Sequence, residues 1–75
     1  MEEILINEYC AIRRMLRYNQ VYESNIETMQ DRLDFIRYCF AKSDYMSMLL
    51  DADSHMKKEF KEHEERKELF NDDQS

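Results

Sequence analysis

Residues 26–40, IETMQDRLDFIRYCF, carry the most regular apolar pattern in the chain. The apolar side chains recur at alternating steps of three and four residues, at Ile26, Met29, Leu33, Ile36 and Phe40. Such steps keep side chains on one face of an α-helix, whose repeat is about 3.6 residues. The pattern predicts a helix with one apolar seam, which other helices must cover. Phe35 and Tyr38 lie off this seam, so we expect a second surface to cover them.

The residues before this seam predict another helix, from about Glu2 to Tyr18. Its apolar face repeats at steps of four, three and four residues, at Leu5, Tyr9, Ile12 and Leu16. Between the two seams, Ser24 and Glu27 have the spacing of a capping box, which favours a new helix start there. One bent helix over residues 3–41 is the alternative, because no glycine marks a break.

The residues after the seam predict a third helix over about 44–70, with an apolar face at Tyr45, Leu49, Ala52 and Met56. At about 1.5 Å per residue this helix is about 40 Å long, more than the other two helices can cover. Its second half is dominated by charged residues. We expect residues 71–75 to be a frayed acidic tail, leaving residues 1–70 as a single helical domain.

Composition favours an all-α fold. The 75 residues contain neither glycine nor proline, which sheets commonly use in their turns, while 43% are apolar and 37% are charged. We predict a small bundle of three helices, or a long helical hairpin. A core of this size supplies little net stability, so pairing of two copies is a further way to cover apolar surface.

Charge and hydropathy suggest a cytoplasmic setting. No apolar run approaches the roughly 20 residues needed to cross a bilayer, and Glu2 and Glu3 stand where a signal peptide would be positive. The net charge is −6. Such a surface repels phosphate backbones and favours basic partners.

The sequence contains no motif that predicts catalysis. It lacks a phosphate-binding glycine loop, a nucleophile elbow and paired zinc ligands. Cys10, Cys39, His55 and His63 are too widely spaced to resemble a zinc site. We therefore expect no enzyme activity, no cofactor and no bound metal, and we expect reduced cysteines.

We therefore predict a non-catalytic protein-binding module, such as a small acidic regulator or inhibitor, that docks through an aromatic and methionine face. The candidate partner-binding residues are Tyr18, Tyr22, Tyr38, Met48, Phe60, Glu62, Glu65, Glu68 and Phe70. The carboxylates could also imitate DNA toward a basic, nucleic-acid-binding partner, a build found in regulators from phages and mobile elements; this analogy rests on size and charge only.

Two alternatives remain open. The first is a self-associating structural bundle, in which two copies form a homodimer and the assembly is the function. The second and weaker is a DNA-binding regulator that uses Arg13, Arg14 and Arg17. The overall acidity of the chain argues against direct binding of nucleic acid, and the same arginines could instead pair with acids elsewhere in the fold.

Overall fold

Three helices form a bundle, as the sequence predicts. A computed structural model describes residues 1–74, with side chains through residue 68. The helices are α1 (Glu2–Arg17), α2 (Ile26–Ala41) and α3 (Met46–Gln74), and the described residues contain no strand. The side chains of residues 71–75, which we predicted to form a frayed tail, lie outside the described residues.

The core is built from the three predicted seams. Leu33, Ile36 and Phe40 from α2 pack against Tyr9 and Ile12 from α1, with Leu49 from α3 completing this cluster. Ala52 and Met56 are also buried on α3. Tyr45 was expected on the α3 face, but it is 47% exposed because α3 begins one residue later, at Met46. The apolar faces of the three helices therefore cover one another within one chain.

The chain breaks between α1 and α2, which excludes the bent-helix alternative. Asn19 has φ 55°, the left-handed conformation that ends many helices and that asparagine adopts more readily than other non-glycine residues. The Gln20 amide donates to the Met15 carbonyl at 2.8 Å, which satisfies a carbonyl of the last turn. Asparagine thus replaces the missing glycine.

The start of α2 differs from the prediction. Ser24 lies within a short 3₁₀ turn, Glu23–Asn25, and α2 begins only at Ile26. Asn25 occupies the cap position without a side-chain hydrogen bond. The predicted capping box at Ser24 is therefore wrong, because Ser24 lies inside the 3₁₀ turn and does not occupy the cap position of α2.

The order of the helices brings three helix ends together. Ion pairs join Arg13 to Asp53 and Arg14 to Glu59, so residue numbers rise together along α1 and α3 and the two helices run parallel. An α1–α2 cavity joins Leu5 to Phe40, so α2 runs antiparallel to both. The N-termini of α1 and α3 therefore lie at the same end of the bundle as the C-terminus of α2.

Candidate protein-binding surface

Large exposed apolar side chains are concentrated at the end of the bundle where the N-termini of α1 and α3 meet the C-terminus of α2. Residues 1–68 include eight exposed large hydrophobic side chains, and six of them belong to the three helix ends that meet there. We call this set the apolar end; it consists of Met1, Ile4, Tyr38, Tyr45, Met46 and Leu50. The three apolar seams bury one another without using these six side chains. Clusters of exposed apolar side chains commonly mark binding surfaces.

The apolar end surrounds the bundle terminus rather than forming one flat face. On α1, Ile4 is 70% exposed and lies about 140° around the helix from the buried Tyr9. On α2, Tyr38 is 62% exposed and lies opposite Ile36 and Phe40. The exposed groups therefore project outward from different helices, beside the α1–α2 cavity that Met1 lines.

Acidic side chains surround the apolar end. Glu3 and Asp44 are exposed beside it, and Glu2 forms an ion pair with the amino terminus. The one lysine of this end, Lys42, lies with its amino group 5.6 Å from the centre of the Tyr38 ring, a cation–π distance. The rim therefore carries net negative charge, which complements basic groups.

Phe35 extends this surface along the outer side of α2. Its side chain is 50% exposed, and the Arg32 guanidinium lies 5.0 Å from its ring centre. Arg32 is itself fixed by two hydrogen bonds to Glu8 of α1. We expected a second surface to cover Phe35 and Tyr38, and the bundle provides none.

Two of the predicted aromatic contacts pack against each other within the chain. The rings of Tyr18 and Phe60 meet edge to face with centroids 5.7 Å apart, and the His63 ring lies 4.7 Å from that of Tyr18. Both aromatic residues are half-buried between α1 and α3. Met48 is likewise half-buried, against the core. These contacts leave less of each side chain for a partner.

The other predicted partner-binding residues are scattered. Tyr22 is 81% exposed but follows the α1 terminus at the opposite end of the bundle from Tyr38. On the second half of α3, exposed carboxylates alternate with bases; they are Glu62, Glu65 and Glu68. The side chain of Phe70 lies outside the described residues.

Five contributors to the apolar end were not among the predicted partner-binding residues: Met1, Ile4, Tyr45, Met46 and Leu50. Tyr45 was assigned to the α3 face that was expected to be covered, and Ile4 and Leu50 are each next in sequence to a member of a predicted apolar repeat. One clue was available, because Met46 and Leu50 stand four residues apart, off the Leu49 and Met56 face.

The arginines of α1 pair with α3, as the alternative interpretation of them expected. Arg13 binds Asp53, Arg14 binds Glu59, and Arg17 binds Glu64. The Arg14 guanidinium holds the pKa of the Glu59 carboxyl below its ordinary value. Phosphate contact by Arg14 would therefore require this ion pair to break.

One polar contact reaches into the core. Tyr9 is fully buried, and its hydroxyl donates a hydrogen bond to Asp53, whose same oxygen accepts from Arg13 at 2.7 Å. Burial, and then this hydrogen bond to Asp53, raise the pKa of the Tyr9 hydroxyl. The contact fixes α1 against α3 and offers no access to a substrate.

The described residues do not assemble a metal site or a membrane span. No three side chains of His, Cys, Asp or Glu within this part lie together as metal ligands would. Cys10 and Cys39 are free thiols, and burial raises the pKa of Cys10. No helix among the described residues has both the length and the apolarity needed to cross a membrane.

Comparisons with protein-family models, with curated proteins and with solved structures find no match to this chain. Its function must therefore be argued from its own surfaces.

Proposed function

We propose that this chain is a non-catalytic binding module that docks on a partner protein through its apolar end. The observation that carries the proposal is the clustering of exposed large hydrophobic side chains where three helix ends meet. Tyrosine and methionine are enriched in interface cores, and Tyr38, Tyr45 and Met46 are of these types. Regulation or inhibition of the partner would follow from occupying its surface.

Shape and charge define the partner. Because its exposed side chains project outward around a bundle terminus, the apolar end fits a concave apolar pocket better than it fits a flat surface. The carboxylates of Glu3 and Asp44 at its rim favour a pocket edged by lysine or arginine. We therefore expect a protein with a cupped apolar site and a basic rim.

Self-association ranks second, because the chain covers its own α2 seam. The α2 seam is buried within one chain, with Leu33 6% exposed and Ile36 fully buried, so it is already covered without a second copy. Two acidic ends also match each other poorly in charge. A homodimer would therefore need another surface, and the solution mass over a range of concentrations tests for it.

Paired tyrosine variants test the proposed surface. The partner is first captured on the immobilised chain and identified, and its affinity is then measured by calorimetry. Tyr38→Ala should weaken binding by about 30-fold, since a truncated interface tyrosine commonly costs about 2 kcal/mol. The control is Tyr22→Ala, the same change at the opposite end, which should bind as the unmodified chain does. Circular dichroism checks that both variants fold.

Two results would contradict the proposal. One is equal weakening by Tyr22→Ala and Tyr38→Ala, which would mean that the effect is not specific to the apolar end. The other is unchanged binding by a Tyr38→Ala, Leu50→Ala double variant, which would locate the interface elsewhere.

DNA mimicry is a separate hypothesis with its own test, because the carboxylates that it uses lie on the second half of α3, away from the apolar end. Reversal of Glu62, Glu65 and Glu68 to lysine should abolish binding to a basic partner, and added salt should weaken it steeply. Residues 57–68 hold five acidic and five basic residues, so these carboxylates do not form an uninterrupted negative row. Binding insensitive to both changes would exclude mimicry.

A further inference from the structure

We propose that a groove between α1 and α3 binds a phosphate monoester. The groove lies on the side of the bundle where Phe60 packs, and it encloses about 550 Å³. Four basic side chains line it, two from each helix: Arg13 and Arg17 from α1, and Lys57 and Lys61 from α3. We call it the basic groove. Its position is separate from the apolar end, so this inference does not rest on the proposed function.

The helix repeat explains why the four bases converge. On each helix the two bases stand four residues apart, so both project from one face. Phe60 lies between them, with the Arg13 and Arg17 guanidinium carbons 5.6 Å and 5.5 Å from its ring centre. The aromatic ring thus orders two cations that would otherwise move freely.

The acids of the groove lie at its two ends. Asp53 and Glu64 are eleven residues apart on α3, which corresponds to about 16 Å along the helix. Asp53 bonds Arg13 and Glu64 bonds Arg17. Within the described residues, Lys57 and Lys61 take part in no ion pair. The middle of the groove is therefore positive in a chain whose net charge is −6.

The arginines of the basic groove are held by fewer hydrogen bonds than Arg14 and Arg32. Arg14 and Arg32 each donate from Nε and Nη2 to one carboxylate group, which uses one edge of the guanidinium. By contrast, Arg13 and Arg17 each donate to a carboxylate through a single nitrogen. Because a guanidinium has five N–H donors, most donors of Arg13 and Arg17 remain for a ligand.

The required ligand chemistry follows from these donors. A phosphate monoester presents three oxygens and nearly two negative charges at neutral pH, so it can bridge guanidinium and ammonium groups together. A single carboxylate has fewer acceptors and half the charge. The phosphate could be carried by a phosphorylated side chain or by a mononucleotide.

Amide chemical shifts measured by NMR during titration test the proposal. The probes are inorganic phosphate, a phosphoserine peptide and adenosine monophosphate, each at constant ionic strength with chloride as the reference. We expect saturable shifts at residues 13, 17 and 57–61. If only the peptide or only the nucleotide binds more tightly than inorganic phosphate, that ligand identifies the source of the phosphate.

A pair of double variants provides the control. Lys57→Gln with Lys61→Gln should weaken phosphate binding about tenfold, the combined loss of two exposed ion pairs to a doubly charged ligand. Lys42→Gln with Lys58→Gln changes the net charge equally outside the groove and should leave the affinity unchanged. Shifts that rise linearly across the whole surface, or equal weakening by both double variants, would overturn the proposal.

Discussion

The buried hydroxyl of Tyr9 gives the sharpest stability prediction. Tyr9→Phe removes one oxygen from the core and leaves the ring in place, so the change tests the contacts of the hydroxyl, above all its hydrogen bond to Asp53. Hydrogen bonds to charged groups contribute about 1.5–3 kcal/mol. The Asp53 side chain is 37% exposed and keeps Arg13 as a partner, so water offsets part of the loss. We therefore expect a loss of about 1–2 kcal/mol from the free energy of unfolding.

Tyr18→Phe is the matched control. The Tyr18 hydroxyl lies 3.4 Å from Glu59, a long contact near the surface. Its removal should cost less than about 0.5 kcal/mol. Urea unfolding of both variants at pH 7, followed by circular dichroism, measures the difference. Equal losses, or a Tyr9→Phe variant as stable as the unmodified chain, would refute the role assigned to the contact with Asp53.

Alkaline unfolding tests the same contact by another route. Burial raises the pKa of Tyr9 above its ordinary value of 10.0, so the folded chain retains a proton that the unfolded chain releases. The stability that this provides is complete below pH 10 and is lost as the pH rises through the folded-state pKa. The free energy of unfolding should therefore fall less steeply above pH 10 in Tyr9→Phe than in the unmodified chain. Identical slopes would contradict the prediction.

Three further predictions concern the core, the α1–α2 turn and the acid limit. Ile36→Ala should cost about 2–5 kcal/mol, enough to unfold most of a small domain, while Phe35→Ala on the outer side of α2 should cost under about 1 kcal/mol; thermal melts compare them. Asn19→Ala should cost about 1 kcal/mol because alanine disfavours the positive φ, whereas Asn19→Gly should not destabilise the chain. Urea midpoints measure both, and an alanine variant more stable than the glycine variant would contradict the role assigned to this turn. Arg14 lowers the pKa of Glu59, so the stability that this ion pair contributes above pH 4.5 is lost as the pH falls below that value. Glu59→Gln should reduce this acid loss by under about 1 kcal/mol. An unchanged dependence of the unfolding free energy on acid pH would contradict the prediction.

The local turn chemistry was only partly predictable. The break after α1 was favoured by the capping-box spacing of Ser24 and Glu27, but the residue that makes the turn is Asn19. The Ser24 pattern suggested a cap that does not form, since a 3₁₀ turn occupies that position. Caps depend on backbone angles that several short polar sequences can satisfy, so the pattern alone did not decide between them.

The candidate surfaces were harder to predict than the helices. Tyr18 and Phe60 have the composition of a binding surface, yet they meet across α1 and α3, 42 residues apart in the chain. Ile4 and Leu50 have the pattern of covered residues, yet they remain exposed where the helices end. Helical spacing assigns residues to faces, but it does not indicate which face a neighbouring helix covers.

The sequence by itself determined that this chain is helical, where its three apolar seams run, and that α3 is the longest helix. These properties depend on residue type and on steps of three and four, which act within one helix. Only the tertiary structure decided that α1 and α3 run parallel, that the apolar residues collect at one end and that four bases converge beside Phe60. Those properties depend on contacts between residues about 40 positions apart, whose pairing is fixed by how the seams pack together.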